Sequence, residues 1–394
     1  MSKLLGPFSQ ILTMTDSPIL EDGGILLEDG KIARIAPFKD LYDQAEEVEE
    51  IEAPSVCLPG FIDCHTHICY GGSRVNDYLL KLRGVSYQEI AKQGGGILHT
   101  VQATRKASRK ELLEGLRKRC FLLLARGVTT CEVKSGYGLT VEDEIKMLEV
   151  IEEAKTSVPL SLISTCLAAH TIPQEFTGGS SYLQYIGREL LPKIQKWTTR
   201  VDIFVEKNAF SEGEARDYLL QAKKRGFDLV VHGDQFSSGG AKLAAEVGAL
   251  SADHLEHISK EDIAFLAKSK TIPVVLPGAS LGLGLPFAPA RLLLDAGLPL
   301  AIASDWNPGS APMGDLLTQA ALLAIHEKIS MMDTFAAITC RAAKALKLED
   351  RGSLKVGYLA DLVVFPTNDY REILYYQGSL RPSQVFKRGK RYVF

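Results

Sequence analysis

The chain has 394 residues, 46% hydrophobic and 24% charged, with 34 Gly and 17 Pro. That balance excludes a disordered chain, a collagen-like repeat and a disulfide scaffold. The 45 basic and 48 acidic residues give a net charge of −3 with no long basic run, which argues against nucleic acid or an anionic membrane as partner. The 7 cysteines are odd in number and lack Cys-x-x-Cys spacing. With no secretory pattern at Met1 onward, reduced thiols in a cytoplasmic protein are expected.

In chain order, the first region runs to about residue 58 and reads as short strands. Gly24–Glu28 and Lys31–Ile35 flank Asp29-Gly30, a dipeptide suited to a tight hairpin with positive φ. From about residue 352 the style returns, with Gly352–Lys355, Ala360–Phe365, Gln384–Lys387 and Lys390–Phe394 as candidate strands. Between them, residues 59–351 alternate short apolar runs with amphipathic stretches. The runs are Leu58–Asp63, Val128–Val133, Leu160–Ala169, Val201–Val205, Leu229–Val231, Leu250–Asp253, Ile272–Leu276 and Leu298–Ala303.

Helix starts are marked by Ser108 with Glu111 and Ser211 with Glu214, and more weakly by Thr140 with Asp143 and Ser259 with Asp262. A reciprocal cap satisfies two N–H groups that the first turn leaves unpaired. Two further helices are predicted over Asp315–Glu327 and Asp333–Leu346. The uncharged stretch Thr271–Ala290 carries Pro273, Pro277, Pro286 and Pro289, so it reads as a buried strand and a loop and not as a membrane helix. Val85–Thr104, glycine-rich at Gly94–Gly96, reads as a loop over a pocket mouth.

Apolar runs without alternation are buried on both faces, which means a parallel sheet. Eight β/α units fit a (β/α)8 barrel of about 250 residues plus insertions. The short strands at the two ends fall outside this repeat. A doubly wound open sheet competes less well, because no G-x-G-x-x-G follows the first strand.

The chemistry lies where the runs end. The first ends in Asp63-Cys64-His65-Thr66-His67, the third in His170, the fifth in His232, the sixth in His254 and the eighth in Asp305. The C-terminal ends of barrel strands open on one face, so these residues converge. Positions i and i+2 of an extended segment point the same way, so His65 and His67 can share an ion. With His232 and Asp305 they make a set of three nitrogens and one oxygen, which suits zinc and also Fe(II) or Mn(II). His99, His257 and His326 read as structural, with His257 the nearest of them to the pocket.

The stretch Pro59-Gly60-Phe61-Ile62-Asp63-Cys64-His65-Thr66-His67 resembles the first-strand motif of the amidohydrolase superfamily. Gly352-Ser353-Leu354-Lys355 and Gly357–Val363 resemble its C-terminal return. Glu132–Leu139, containing Lys134-Ser135-Gly136-Tyr137-Gly138, and Ser304–Ser310, containing Asp305-Trp306-Asn307-Pro308-Gly309-Ser310, resemble the branch that opens a cyclic amide in histidine degradation. So do Gly71–Arg74, Gly94–Ile97, Thr100–Arg105 and Ser251–Glu256. The resemblance spans essentially the whole chain and implies a small β-sandwich, built from both chain ends, beside the barrel.

It implies 4-imidazolone-5-propanoate as small-molecule substrate and N-formimino-L-glutamate as product. It implies one divalent ion, Zn2+ or Fe2+, on His65, His67, His232 and Asp305. Arg74, Tyr137, His170, Asn307, Gly309 and Ser310 would line the substrate, with Arg74 on its carboxylate tail. Asp305 would move the water proton, and His254 or His170 would assist. Gln235 stands where some relatives carry Glu; it can hydrogen-bond the ring but cannot shuttle a proton. Glu206, at the end of the fourth run, is the residue that would bridge a second ion. Members of the family are often homodimers, though the residues themselves carry no interface signal. The competing readings are another cyclic amidase, a nucleobase aminohydrolase, and a non-catalytic scaffold on the same fold.

Overall fold

The computed structural model describes residues 2–85, 89–90, 94–207 and 209–394. Eight strands form one parallel sheet in sequence order: Phe61–Asp63, Val128–Lys134, Ser161–Ala169, Arg200–Val205, Asp228–Gly233, Ser251–His254, Ile272–Val275 and Ala301–Ile302. The sheet curls until its last segment meets its first. Thr66 bridges Trp306 in parallel, the Asp305 N–H reaches the His65 carbonyl at 3.1 Å, and the His67 N–H reaches the Trp306 carbonyl at 2.9 Å. Every residue of Val128–Lys134 is buried, which explains the missing alternation in its sequence.

A second, mixed sheet is built from both ends of the chain. Its order is Lys390–Tyr392, Gln384–Lys387, Leu362–Phe365, Val56–Pro59, Ser2–Leu12, Ile19–Glu28 and Lys31–Pro37, with Glu47–Glu50 also pairing Ser2–Leu12. The hairpin at Asp29-Gly30 has positive φ at both residues, as the dipeptide demands. Leu5, Phe8, Ile25, Cys57, Leu362 and Phe386 pack as the core of this sheet. No helix of the described residues is long and apolar enough to cross a membrane.

Several expected elements differ in detail. The run Leu58–Asp63 splits at Gly60: Val56–Pro59 joins the terminal sheet, and only Phe61–Asp63 enters the barrel. A Cβ at Gly60 would stand 2.3 Å from Thr129 Cγ2, so only glycine lets the chain pass there. Gly352–Lys355 is not a strand. Gly352 has φ +85°, and Leu354 makes one backbone bond, to the Thr13 carbonyl. The stretch expected as one helix over Asp333–Leu346 is two, Met331–Ala337 and Cys340–Ala345. The Ile338 carbonyl accepts from the Ile62 N–H of the barrel at 2.8 Å, and Thr339 leaves the helical region.

After the strand Ile272–Val275 comes a short helix, Pro277–Leu283, where a loop was expected. Its leading proline is already shaped for a first turn. Of the loop expected over Val85–Thr104, Gly96–Thr104 belongs to the helix Gly96–Lys106. Residues 86–88 and 91–93 lie outside the described residues.

The predicted caps form. Ser108 and Ser211 each accept from the N–H three residues on, and Glu111 and Glu214 return the bond. Thr140 and Ser259 cap Val141–Lys155 and Lys260–Leu266 from one side only. Replacing Ser211 with Ala removes the acceptor for the Glu214 N–H, which lies 3.4 Å away. A loss of about 1 kcal/mol is expected, read as a lower urea midpoint with unchanged slope; an unaltered midpoint would show that this cap is idle.

Candidate metal centre

The strand ends bring the predicted ligands together in a buried cluster. His65 and His67 Nε2 are 3.2 Å apart, and His232 Nε2 is 3.4 Å from His67 Nε2. Asp305 Oδ1 lies 3.3 Å from His67 Nε2 and 3.6 Å from His65 Nε2. All four side chains are buried. A tetrahedral zinc site with bonds of about 2.0–2.1 Å has donor-to-donor edges of about 3.3–3.4 Å. The four measured edges fall around that value.

Electrostatics point the same way. Burial holds the pKa of both His65 and His232 well below the ordinary imidazole value, and the Lys134 ammonium lowers each further. Both rings are therefore neutral, as a ligand must be. His65 Nδ1 donates to Asp253 Oδ2 at 2.7 Å, which leaves the Nε2 lone pair facing the cluster. His232 Nδ1 lies 2.8 Å from Asp202 Oδ2, though off the line of a good hydrogen bond. His67 Nδ1 is buried without a hydrogen-bond partner among the described residues. Asp305 keeps its charge: burial raises its pKa, but His67, His254 and Asn307 outweigh that, and the value is lowered. The donor set fits a divalent cation.

The backbone here is strained. Asp234, His254, Leu255 and Asp305 all have positive φ, from 52° to 84°, and all lie just beyond or at strand ends. Non-glycine residues hold such angles only where the surroundings impose them, and such sites cluster at active centres.

Around the cluster stand the other expected residues. His170 stacks on His67 at 5.0 Å with rings 19° apart, and its Nδ1 donates to the Gly136 carbonyl at 3.1 Å. Burial first, then His67, depress its pKa to about 3, so it is neutral. His254 behaves oppositely. Burial works against its cation, but Glu256, Asp305 and Asp253 outweigh burial and raise the pKa. Tyr137 is buried beside both His67 and His170, with ring centroids 6.0 and 5.4 Å away.

Gln235 is buried on the turn after the fifth strand. Its backbone carbonyl accepts from His257 Nδ1 at 2.7 Å, so His257 braces this turn. His99 and His326 are exposed.

The loop after Asp305 is tied to itself. Asn307 Nδ2 donates to the Asp305 carbonyl, to Asp305 Oδ2 and to Ser310 Oγ, at 2.7–2.9 Å. Its Oδ1 accepts the N–H groups of Gly309 and Ser310, both at 2.8 Å. Asn307 thus holds the carboxylate of Asp305 in place, and the two N–H groups expected to meet a ligand are spent on Asn307. Arg74 is buried; its Nε pairs with Asp77, and Nη1 is 3.4 Å from Thr100 Oγ1. The Nη edge packs on Gly309, where a Cβ would come within 2.9 Å of Nη1. Lys81 joins it, with Nζ 3.3 Å from the Gly309 carbonyl.

Glu206 does not reach the cluster. Its carboxylate accepts from the N–H groups of Phe236 and Ser237 and from the Ser237 hydroxyl, at 2.8–3.0 Å. From the fourth strand Phe204 faces the rings of His170, His232 and His254, at 6.1–6.4 Å, and it has no donor atom.

Sequence reading assigned no role to Asp202, Asp253, Lys134, Lys81 or Phe204. For Asp202 and Asp253 a signal existed, a charged residue within a run that is otherwise apolar, and Lys134 directly follows such a run.

The amidohydrolase family model matches residues 90–390. Imidazolonepropionase of Bacillus cytotoxicus is 39% identical over 98% of this chain and 95% of its own. That of Symbiobacterium thermophilum is 40% identical over 96% and 91%, and that of Geobacillus kaustophilus 39% over 96% and 91%. Among solved structures, a variant of atrazine chlorohydrolase from Arthrobacter aurescens, complexed with zinc and atraton, superposes with TM-score 0.74 at 18% identity, covering 99% of this chain and 95% of that one. A zinc-bound adenosine deaminase from Xanthomonas campestris does so with TM-score 0.74 at 17% identity, covering 99% and 92%. These two show the shared fold. On the whole-length identity to the relatives, joined to a barrel with its terminal sheet, this chain belongs to the imidazolonepropionase family of the amidohydrolases.

Proposed function

We propose that the chain hydrolyses 4-imidazolone-5-propanoate to N-formimino-L-glutamate, using one divalent ion, Zn2+ or Fe2+, held by His65, His67, His232 and Asp305. The observation that carries this reading is the convergence of His65 Nε2, His67 Nε2 and Asp305 Oδ1 within 3.2–3.6 Å of one another, with His232 Nε2 3.4 Å from His67 Nε2. Membership of the family supplies the substrate. In this reading the catalytic barrel begins after Pro59 and runs to about residue 351, and residues 2–59 with 352–394 belong with the terminal sheet.

An ion bound there supplies Lewis acidity and lowers the pKa of water from 15.7 toward about 7. The remaining work falls to side chains. Asp305 takes a proton from water as the oxygen attacks the ring carbonyl carbon. The bond from that carbon to the ring nitrogen breaks, and Asp305 returns the proton to the leaving nitrogen. His254, whose carboxylate neighbours favour its cation, stabilises the oxyanion. His170 stays neutral and, with Tyr137 and Gln235, orients the ring by hydrogen bonds and contact. The Nη edge of Arg74, beside Thr100 and Gly309, receives the propanoate, and Asp77 fixes the plane of its guanidinium.

A single ion is favoured over two because Glu206 is committed to the 236–237 turn and Phe204 offers nothing to ligate. The expected result is loss of imidazolone absorbance with formimino-glutamate formed, and one metal per active chain by elemental analysis. Metal-loaded protein that is inert on the imidazolone but releases ammonia from guanine or cytosine would replace this substrate with a nucleobase. Two ions per active chain would defeat the mononuclear site.

A further inference from the structure

Beneath the cluster lies a buried charged layer that the proposed chemistry does not use. Lys134 is fully buried at the end of the second barrel strand. Its Nζ is 2.7 Å from Glu132 Oε2, 2.8 Å from Asp202 Oδ2 and 3.9 Å from Asp253 Oδ2. Arg200 adds a second cation, 3.7 Å from Glu132 Oε1. The two aspartate oxygens nearest Lys134 are the same two that meet the Nδ1 atoms of His65 and His232. One ammonium therefore stands behind two imidazoles on different strands.

We propose that Lys134 is a positioning residue for the metal ligands: by anchoring Asp202 and Asp253 it keeps the Nδ1 hydrogens of His232 and His65 pointing inward and both Nε2 lone pairs outward. This rests on the metal reading above and extends it to the layer below.

The physical basis is charge balance. Asp202 and Asp253 face each other in a dry interior, where two carboxylates without a counter-ion are costly. Lys134 supplies the counter-ion at hydrogen-bond distance from Asp202 and fixes where that oxygen sits. Asp253 so held accepts from His65 Nδ1, which fixes the tautomer with Nε2 free, and Asp202 Oδ2, 2.8 Å from His232 Nδ1, favours the same tautomer there through its charge. Without Lys134 the two oxygens lose their common anchor, and both ligands lose their orientation together. Glu132 is in turn held by the Thr165 hydroxyl, with Arg200 3.7 Å away, so the layer is braced from the third and fourth strands as well.

The test is zinc affinity. Metal-stripped native chain and Lys134→Met are titrated with Zn2+ against a chromophoric chelator, with folding checked by circular dichroism. The variant is expected to keep its spectrum and bind Zn2+ about 10–100-fold more weakly. Folded Lys134→Met with native affinity overturns the role of Lys134 and leaves the metal reading intact. A native chain that binds neither Zn2+ nor Fe2+ overturns both. Should the variant not fold, histidine-selective 15N NMR of the metal-free native chain decides: His65 and His232 are expected as the Nδ1–H tautomer, and Nε2–H in either ring refutes the relay.

Discussion

Asp305→Asn is expected to leave the fold intact and to cut turnover by about 10^3-fold or more. The change is nearly isosteric, so packing is kept. Asn also tolerates the positive φ of 52° found at this position, whereas Ala would add strain to the effect being measured. What is lost is the charge. Asp305 is the only anion among the four converging donors, and its other oxygen accepts from Asn307 at 2.9 Å. An amide there can present a donor to a donor and cannot carry a proton between water and a leaving nitrogen. The measurement is kcat at matched metal content, with metal per chain determined separately. Turnover within tenfold of the native rate would remove Asp305 from proton transfer. Loss of metal with no change in rate per bound ion would leave it a ligand only.

Replacing Arg74 with Met should act on the other end of the substrate. Charge-assisted bonds contribute about 1.5–3 kcal/mol each, so the loss of a carboxylate partner is expected to lower kcat/KM about 10^2–10^3-fold, mostly through KM. An analogue with a methyl group in place of the propanoate should show little difference between native and variant chains. The buried pair with Asp77 sharpens the expectation, because it turns Nε away and leaves the Nη edge as the binding face. Lys81 at the same loop is a second cation, and burial followed by the neighbouring Arg74 lowers its pKa. Equal losses on substrate and tail-less analogue would mean that Arg74 braces the loop and does not read the carboxylate.

The sequence made the barrel legible because its strands are buried on both faces and its proposed catalytic polar residues stand at their ends. A histidine or aspartate that closes an apolar run has few structural reasons to be there, and five runs end that way. The caps at Ser108 and Ser211 were legible because they are local, spanning three residues each. What was not legible depends on contacts between distant segments. The break at Thr339 follows from a carbonyl diverted to Ile62. The split at Gly60 follows from the approach of Thr129. The roles of Asp202 and Asp253 appear only when neighbouring strands set them under imidazoles of the first and fifth. The Asn307 loop is similar: its residues were named as ligand contacts, yet their polar groups first satisfy one another and fix Asp305.

The barrel shuts along a seam between its first and last segments. Its rungs at His65, His67, Asp305 and Trp306 belong to segments that also hold three of the four donors. Ser304 ties to Asp63 across 241 positions at the same place. A cation seated there acts as a rivet through the overlap, fastening the two edges of a rolled plate. Stripping it would therefore loosen the cylinder along its whole join, so heat tolerance and chemistry should decline together.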